Sequence, residues 1–422
     1  MYFFNLLKIA LKGVDMSTTN NYRWFVLGVG VIAQMTFAMG FAGIPVAGVL
    51  MREAYDFSLF ELGVVLGAMG LGVALSEIIW GVLTDKLGDK TVLVIGLWLS
   101  AGAFSAISRF LTPDSGESIY YLALSGGLIA SGAFGGSINS SSGRTVMSWF
   151  DDSERGFAMS IRQTAIPVGG AIGAGLVPWL AYSYGFDSAF LFLALASFIV
   201  GLFVLIFVDS KHKKISNAAK KSAVVKSPLK SFEIWKITIA AGLLTVPQMS
   251  VLTFGGLYLK DVFHIELSLI SVILISVQIG GGAFRIWFGY YTDKNKNRIP
   301  VLKHISILGG LSAVVLCFVV DSYFYGIALF IITGLIGNAW HGVAYTEVAV
   351  QAGVERAGTA LGMIGTTVFM SSFLSPIMIS SVVDVSGWST AWGIVGVLTL
   401  ASLLFLQSPK NKSTTSTAPV EG

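Results

Sequence analysis

The sequence predicts an all-α polytopic membrane protein, with twelve transmembrane helices in two related six-helix halves. Three observations predict it. Of the 422 residues 54% are hydrophobic and only 12% are charged, half the roughly 25% of an ordinary soluble domain, and the mean hydropathy is +0.77. Apolar runs long enough to cross a bilayer, about 20 residues each, recur along the whole chain. Finally, a charged turn between two such runs, Gly81-Val-Leu-Thr-Asp85-Lys86-Leu-Gly88-Asp-Lys90, returns in weaker form as Gly289-Tyr-Tyr-Thr-Asp293-Lys294.

The spans fall at 24–50, 59–83, 91–111, 119–149, 156–182 and 188–208, then at 234–259, 268–291, 300–320, 323–350, 358–383 and 388–407. The chain thus divides into an N-terminal segment (1–23), a first bundle (24–208), a linker (209–233), a second bundle (234–407) and a tail (408–422). Runs longer than one crossing imply tilt or kinks, and Pro45, Pro167, Pro178, Pro247 and Pro376 supply kink sites. No cleavable signal is expected, since Met1–Lys12 lacks a small-residue cleavage site, and Met16 is an alternative start.

Charge sets the orientation. Lys86, Lys90, Arg155, Lys294, Lys296, Arg298 and Arg356 follow even-numbered spans, and the linker adds seven lysines between Lys211 and Lys230. The opposite turns are acidic, with Glu53, Asp56, Glu61, Asp114, Glu117, Asp187, Asp261, Glu266, Asp321 and Asp384. Both termini and the linker are therefore expected in the cytoplasm, with a bacterial inner membrane as the setting. The same loop charge accounts for the pI near 8.9 without nucleic acid. The single cysteine, Cys317, excludes a disulfide framework or a cysteine metal site.

Aligning Leu75–Lys86 with Ala283–Lys294 matches Ile78/Ile286, Gly81/Gly289, Thr84/Thr292, Asp85/Asp293 and Lys86/Lys294. A second pair, Glu154-Arg155 and Glu355-Arg356, precedes spans 5 and 11, and beyond it Gly156/Gly358, Thr164/Thr366 and Gly185/Gly387 align. Repeated halves place a substrate site near the midplane, between them.

On these residues the chain resembles the major facilitator superfamily. The family's turn between helices 2 and 3 is matched by Gly81, Leu83, Asp85, Lys86, Gly88 and Lys90, while Asp89 departs where a basic residue is common. The resemblance implies two six-helix bundles, alternating access, and a central cavity lined by helices 1, 4, 7 and 10 with 2, 5, 8 and 11. On physical grounds Asp85 should cap a helix N-terminus or pair with a cation, forming a latch with Lys86, Lys90, Arg144, Glu154, Arg155, Asp293, Glu355 and Arg356. Gly81, Gly88 and Gly289 should permit its tight turns and close packing.

An ionisable residue inside a span is costly and by default functional. Glu77, Arg144, Arg162, Arg285, His341 and Glu347 lie on spans 2, 4, 5, 8 and 10, and none on spans 3, 6, 9 or 12 except near an end. Glu77 and Arg285 hold matching repeat positions, about 12 Å from the charged turn at 1.5 Å per residue, and either bridge each other or serve substrate. Arg285 with Gly289 four residues on also resembles helix 8 of monocarboxylate and oxalate/formate transporters, where an arginine engages the substrate carboxylate. Arg162 breaks the repeat, its counterpart being Ile364, which points to substrate, or to a gate pair with Glu154 or Glu347. Gln34, Asn139, Gln163, Gln248, Gln278 and Trp340 are further lining candidates, and Glu77, His341 and Glu347 are proton-coupling candidates.

Three arginines against two glutamates leave the core positive, so a small organic anion taken up with a proton is the expected substrate. Export of drugs or metabolites is the alternative; Pro167-Val-Gly169-Gly170 lacks the Gly-Pro spacing of the exporters' motif. A non-transporting membrane sensor is the third reading. No P-loop, nucleophile motif or metal-ligand cluster suggests an enzyme, no cofactor is expected, and twelve spans suffice for a monomer.

Overall fold

The computed structural model describes residues 19–57, 59–113, 119–209 and 227–406. The expectations for the N-terminal start, most of the linker and the tail lie outside these. All regular structure among the described residues is helical, and twelve helices are long and apolar enough to cross a membrane.

The helices are α1 (Thr19–Val46), α2 (Leu59–Leu87), α3 (Asp89–Phe110), α4 (Tyr121–Trp149), α5 (Arg155–Gln163 continued by Ala165–Tyr184) and α6 (Phe186–Phe207). The second half holds α7 (Phe232–Phe263), α8 (Leu267–Asn295), α9 (Arg298–Phe318) and α10 (Tyr323–Gly337 continued by His341–Ala352). Ala357–Ala401 forms the last two, α11 and α12, which part at Gly387. The first span was expected to run to Leu50. Instead α1 ends at Val46, one residue past Pro45, and a separate short helix, Gly48–Ala54, follows.

Gly387 has φ 76° and Gly185, its repeat partner, φ 91°, so the same left-handed residue separates the last two helices of each half. Gly88, in the charged turn, also has φ 91°.

Apolar packing forms three clusters. One lies largely within the first half around Phe37, Val65, Phe104 and Phe190, with Phe369 of α11 packed into it from the second half. A second holds the far end of the second half around Tyr258, Phe330 and Trp392. The third spans both halves at the end bearing the basic turns, joining Leu27, Val146 and Met159 to Ile237, Val343 and Leu361. At that basic end the two halves share one core, so the way through is shut there.

Two helices that read as continuous in sequence are broken, and both breaks fall inside membrane-spanning segments. In α5 the cause is Pro167, whose missing N–H leaves the Gln163 carbonyl without its helical partner. In α10 the amides of Asn338 and Ala339 turn back by tight bonds to Leu335 and Ile336. The Asn338 side chain meanwhile donates to the Gly334 carbonyl at 3.0 Å.

Candidate functional site

The buried polar groups form two layers, a latch at the basic end and a network at mid-membrane.

The latch occurs twice. Asp85, at the end of α2, accepts the backbone N–H groups of Gly358 and Thr359, both at 2.8 Å, and the Thr359 hydroxyl. Arg144 of α4 lies 3.4 Å from the same carboxylate. In the other half Asp293, at the end of α8, accepts from Gly156 (3.0 Å) and Phe157 (2.8 Å) at the start of α5. Arg298 is its cation, at 3.1 Å. Each aspartate thus takes the unpaired N–H groups and positive dipole end of a helix in the opposite half. Glycine makes the approach possible. A Cβ on Gly358 would lie 2.7 Å from the Gly81 carbonyl oxygen, and one on Gly289 2.6 Å from that of Gly156.

The remaining charged candidates surround this layer. Glu154 pairs with Arg23 at 2.6 Å, and Arg155 donates to the carbonyls of Phe150 and Met147 at the end of α4. Glu347 bonds Gln351 and lies 3.9 Å from Arg298. Lys86 is exposed, and Lys90, Glu355 and Arg356 are half-buried. Asp89, the residue that departs from the family string, is buried and accepts the Thr145 hydroxyl.

Asp152, in the turn between α4 and α5, joins Lys296 (3.1 Å) and Arg298 (3.3 Å). Partial burial opposes ionisation there, but the hydrogen bond from Lys296 and the charge of Arg298 outweigh it and hold Asp152 below the usual carboxylate range. Its folded pKa is depressed, so its contribution is present above the unfolded value and is lost only as pH falls through the folded one. Asp152→Asn should therefore lower thermal stability by the same small amount, at most about 1 kcal/mol, at every pH above about 4. A melting series from acid to neutral pH checks this; a wild-type advantage that vanishes at pH 6 would contradict it.

At mid-membrane, Glu77 is fully buried and accepts Asn139 Nδ2 (3.0 Å) and Ser140 Oγ (3.1 Å). Arg162, also fully buried, donates to Ser142 Oγ (2.9 Å), Gln34 Oε1 (3.1 Å), and Asn139 O and Oδ1 (2.6 and 2.7 Å). One amide, that of Asn139, thus separates acid from base.

Across the pseudo-twofold, Arg285 is 2% exposed. Its Nε and Nη2 donate to Asn338 O and Oδ1, each at 3.2 Å, and its Nη1 donates to the Gln163 carbonyl at 2.8 Å. Arg285 therefore satisfies the carbonyls freed by both helix breaks, one in each half of the molecule. Gln248 donates to Asn338 Oδ1 (3.1 Å), and Asn338 Nδ2 reaches Gln278 Oε1 (3.4 Å). His341 stacks on Trp340 with ring centroids 3.8 Å apart and lies beside Arg285.

Two pairings that the sequence left open as alternatives do not form. Glu77 and Arg285 make no bridge, because an asparagine in each half, Asn139 and Asn338, engages them first. Arg162 pairs with neither Glu154 nor Glu347, which lie at the basic end with Arg23 and Arg298.

The sequence matches the family model described as Major Facilitator Superfamily over residues 30–376. The chain belongs to this superfamily. An "Uncharacterized MFS-type transporter" of Mycobacterium tuberculosis is 27% identical over 384 residues, covering 90% of this chain and 84% of that one. A "Probable galactarate/D-glucarate transporter" of Bacillus subtilis is 21% identical, covering 90% of both chains. Among solved structures, the superfamily's proton:xylose symporter XylE has a similar fold, with TM-score 0.73, 14% identity, and coverage of 92% of this chain and 96% of that one. The transporters of this superfamily are not enzymes, and this chain is an integral multi-pass membrane protein.

Several residues of the layers escaped the sequence reading. Tyr345 is buried between the halves, its hydroxyl beside the amides of Asn139 and Gln163 and within electrostatic reach of Glu77 and Arg162. In the sequence it reads as one more aromatic in an apolar run. Arg298 was counted as loop charge, although it is buried and binds both Asp293 and Glu347. Ser140 and Ser142 lie in a serine run that looks like simple small-residue packing. Gln163 contributes its backbone carbonyl as well as its side chain. Pro167, four residues on, was the available signal.

Proposed function

We propose that this superfamily member is a secondary transporter that takes up a small organic anion, a carboxylate, together with a proton by alternating access. The observation that carries the proposal is the charge of the mid-membrane layer. Arg162 and Arg285 are buried there against neutral acceptors, with Glu77 as the one nearby acid among the described residues. Arg144 and Glu347, counted in the sequence's charge balance, belong to the basic-end layer. What remains is an excess of one positive charge with Glu77 ionised, and of two with Glu77 protonated. An anion and a proton entering together offset each other's cost in this setting.

Arg285 is the proposed carboxylate ligand, because its planar fork suits a carboxylate and it already touches both halves. A substrate carboxylate would take over the guanidinium from the Gln163 carbonyl and loosen that tie. Arg162 holds Asn139 and Gln34 in place beside it. Asp85 and Asp293 keep the basic end shut until the halves rock. The lysine-rich turns support a cytoplasmic position for that end and for both termini, in the inner membrane of a bacterium. The galactarate/D-glucarate relative supports an anionic substrate.

The test is uptake into proteoliposomes with an acid exterior, comparing small carboxylates with lipophilic cations. Accumulation of a carboxylate, collapsed by a protonophore, is the expected result. Transport of lipophilic cations only, unchanged in Arg285→Lys and Arg162→Lys, would replace this reading with export.

A further inference from the structure

We infer that the transported acid is hydroxylated, so that the site selects hydroxy acids over plain carboxylates of the same length. The inference rests on the organic-anion reading above and narrows it.

Its basis is a mismatch between what a carboxylate offers and what the site lacks. A plain carboxylate brings acceptors only. Around Arg285, however, buried acceptors are themselves without donors. Gln248 Oε1 is one. Arg285 is donor-only and holds Asn338 Oδ1, so the amide of Gln248 must turn its nitrogen to that oxygen. Its own oxygen is left buried with no partner among the described residues.

The Gln163 amide is the second such group: its oxygen and nitrogen make no hydrogen bond of good geometry among the described residues, and the Tyr345 hydroxyl beside it can serve only one of the two. The Gln163 side chain is fully buried, and the carbonyl of the same residue is 2.8 Å from Arg285. Unfilled donors are present as well, on Gln34 Nε2 and Trp340 Nε1. Buried polar atoms left unpaired in a native protein call for a partner. A hydroxyl both donates and accepts, and one carried on the carbon next to a carboxylate held by Arg285 would suit these amides. A site built this way penalises the analogue lacking the hydroxyl, because its amide oxygens stay buried and unpaired.

The experiment is ligand-induced thermal stabilisation of the full-length protein in detergent. The probes are acids matched in carbon length: propionate, lactate and glycerate; succinate, malate and tartrate; adipate and galactarate. Galactitol, which has the hydroxyls without the charge, is the control. In at least one series affinity should rise about tenfold with hydroxylation. Gln248→Met and Gln163→Met should flatten that ratio to about twofold while the plain acid still binds.

Equal binding within every series would overturn the inference and leave the organic-anion reading standing. So would a hydroxyl preference retained in both methionine variants, or no stabilisation by any hydroxylated acid. Galactitol binding as well as galactarate, unaffected by Arg285→Lys, would instead overturn the anion reading itself.

Discussion

Arg285→Ala is expected to abolish carboxylate uptake, by about a hundredfold or more, and to destabilise the protein. Loss of a fixed positive charge and bidentate donor at the proposed substrate position accounts for the first effect. The second has a separate origin. Without the guanidinium, the carbonyls of Gln163 and Asn338 lose that donor at a buried site, while the Asn338 side-chain oxygen keeps Gln248. Each acceptor left bare costs about 1–3 kcal/mol.

The two effects separate in a double mutant. Pro167→Ala restores the N–H that an unbroken α5 would direct at Gln163, so it should stabilise the Arg285→Ala background by about 1 kcal/mol more than the wild type. Uptake should not return. Arg285→Lys keeps the charge but lacks the fork spanning both carbonyls, and should transport poorly for that reason. Unfolding measurements on the four-member cycle, with uptake assayed in parallel, are decisive. Strictly additive stabilities would mean that the Gln163 carbonyl is not shared between proline and arginine. Recovery of uptake in the double mutant would make Arg285 a structural staple only.

How much of this site the sequence reveals depends on the kind of contact. The latch was legible because its parts are local. A carboxylate four residues after a glycine and directly before a lysine recurs at Asp85 and Asp293, and Gly156 and Gly358 mark the helix starts that receive them. The distribution of mid-membrane charges was legible too, since a buried ionisable group stands out against lipid-facing sequence.

Partner choice was not legible. Glu77 and Arg285 occupy equivalent repeat positions, and opposite charges invite a bridge, yet each is closer to an asparagine on the adjacent inner helix of its own half. The pseudo-twofold therefore pairs an acid with Asn139 and a base with Asn338 in the same geometry, with the sign reversed. Side-chain composition also conceals backbone partners, which is why the cross-half bond from Arg285 to Gln163 could be anticipated only through Pro167. Tyr345 gives no signal at all in a span where aromatics are common.

Glu77→Gln is expected to uncouple the transporter without emptying it. Glutamine fits the same slot. Its oxygen accepts Asn139 Nδ2, and its nitrogen can donate to Ser140 Oγ, a hydroxyl able to serve as acceptor as readily as donor. Arg162 remains anchored on the other face of Asn139, so the two layers keep their geometry. What disappears is the carboxyl group buried beside both Arg162 and Tyr345.

Substrate exchange across the membrane should survive in this variant, because exchange needs no net proton movement. Accumulation driven by a pH gradient should not. At one proton per substrate, an acid-outside gradient of one unit sustains about tenfold accumulation in the wild type, and the variant should fall to equilibration. Counterflow and gradient-driven uptake, measured on the same vesicles, give both readings. Retained exchange with lost accumulation places the proton on Glu77. Undiminished accumulation would place it elsewhere, with His341 beside Arg285 and Glu347 beside Arg298 as the remaining groups to replace.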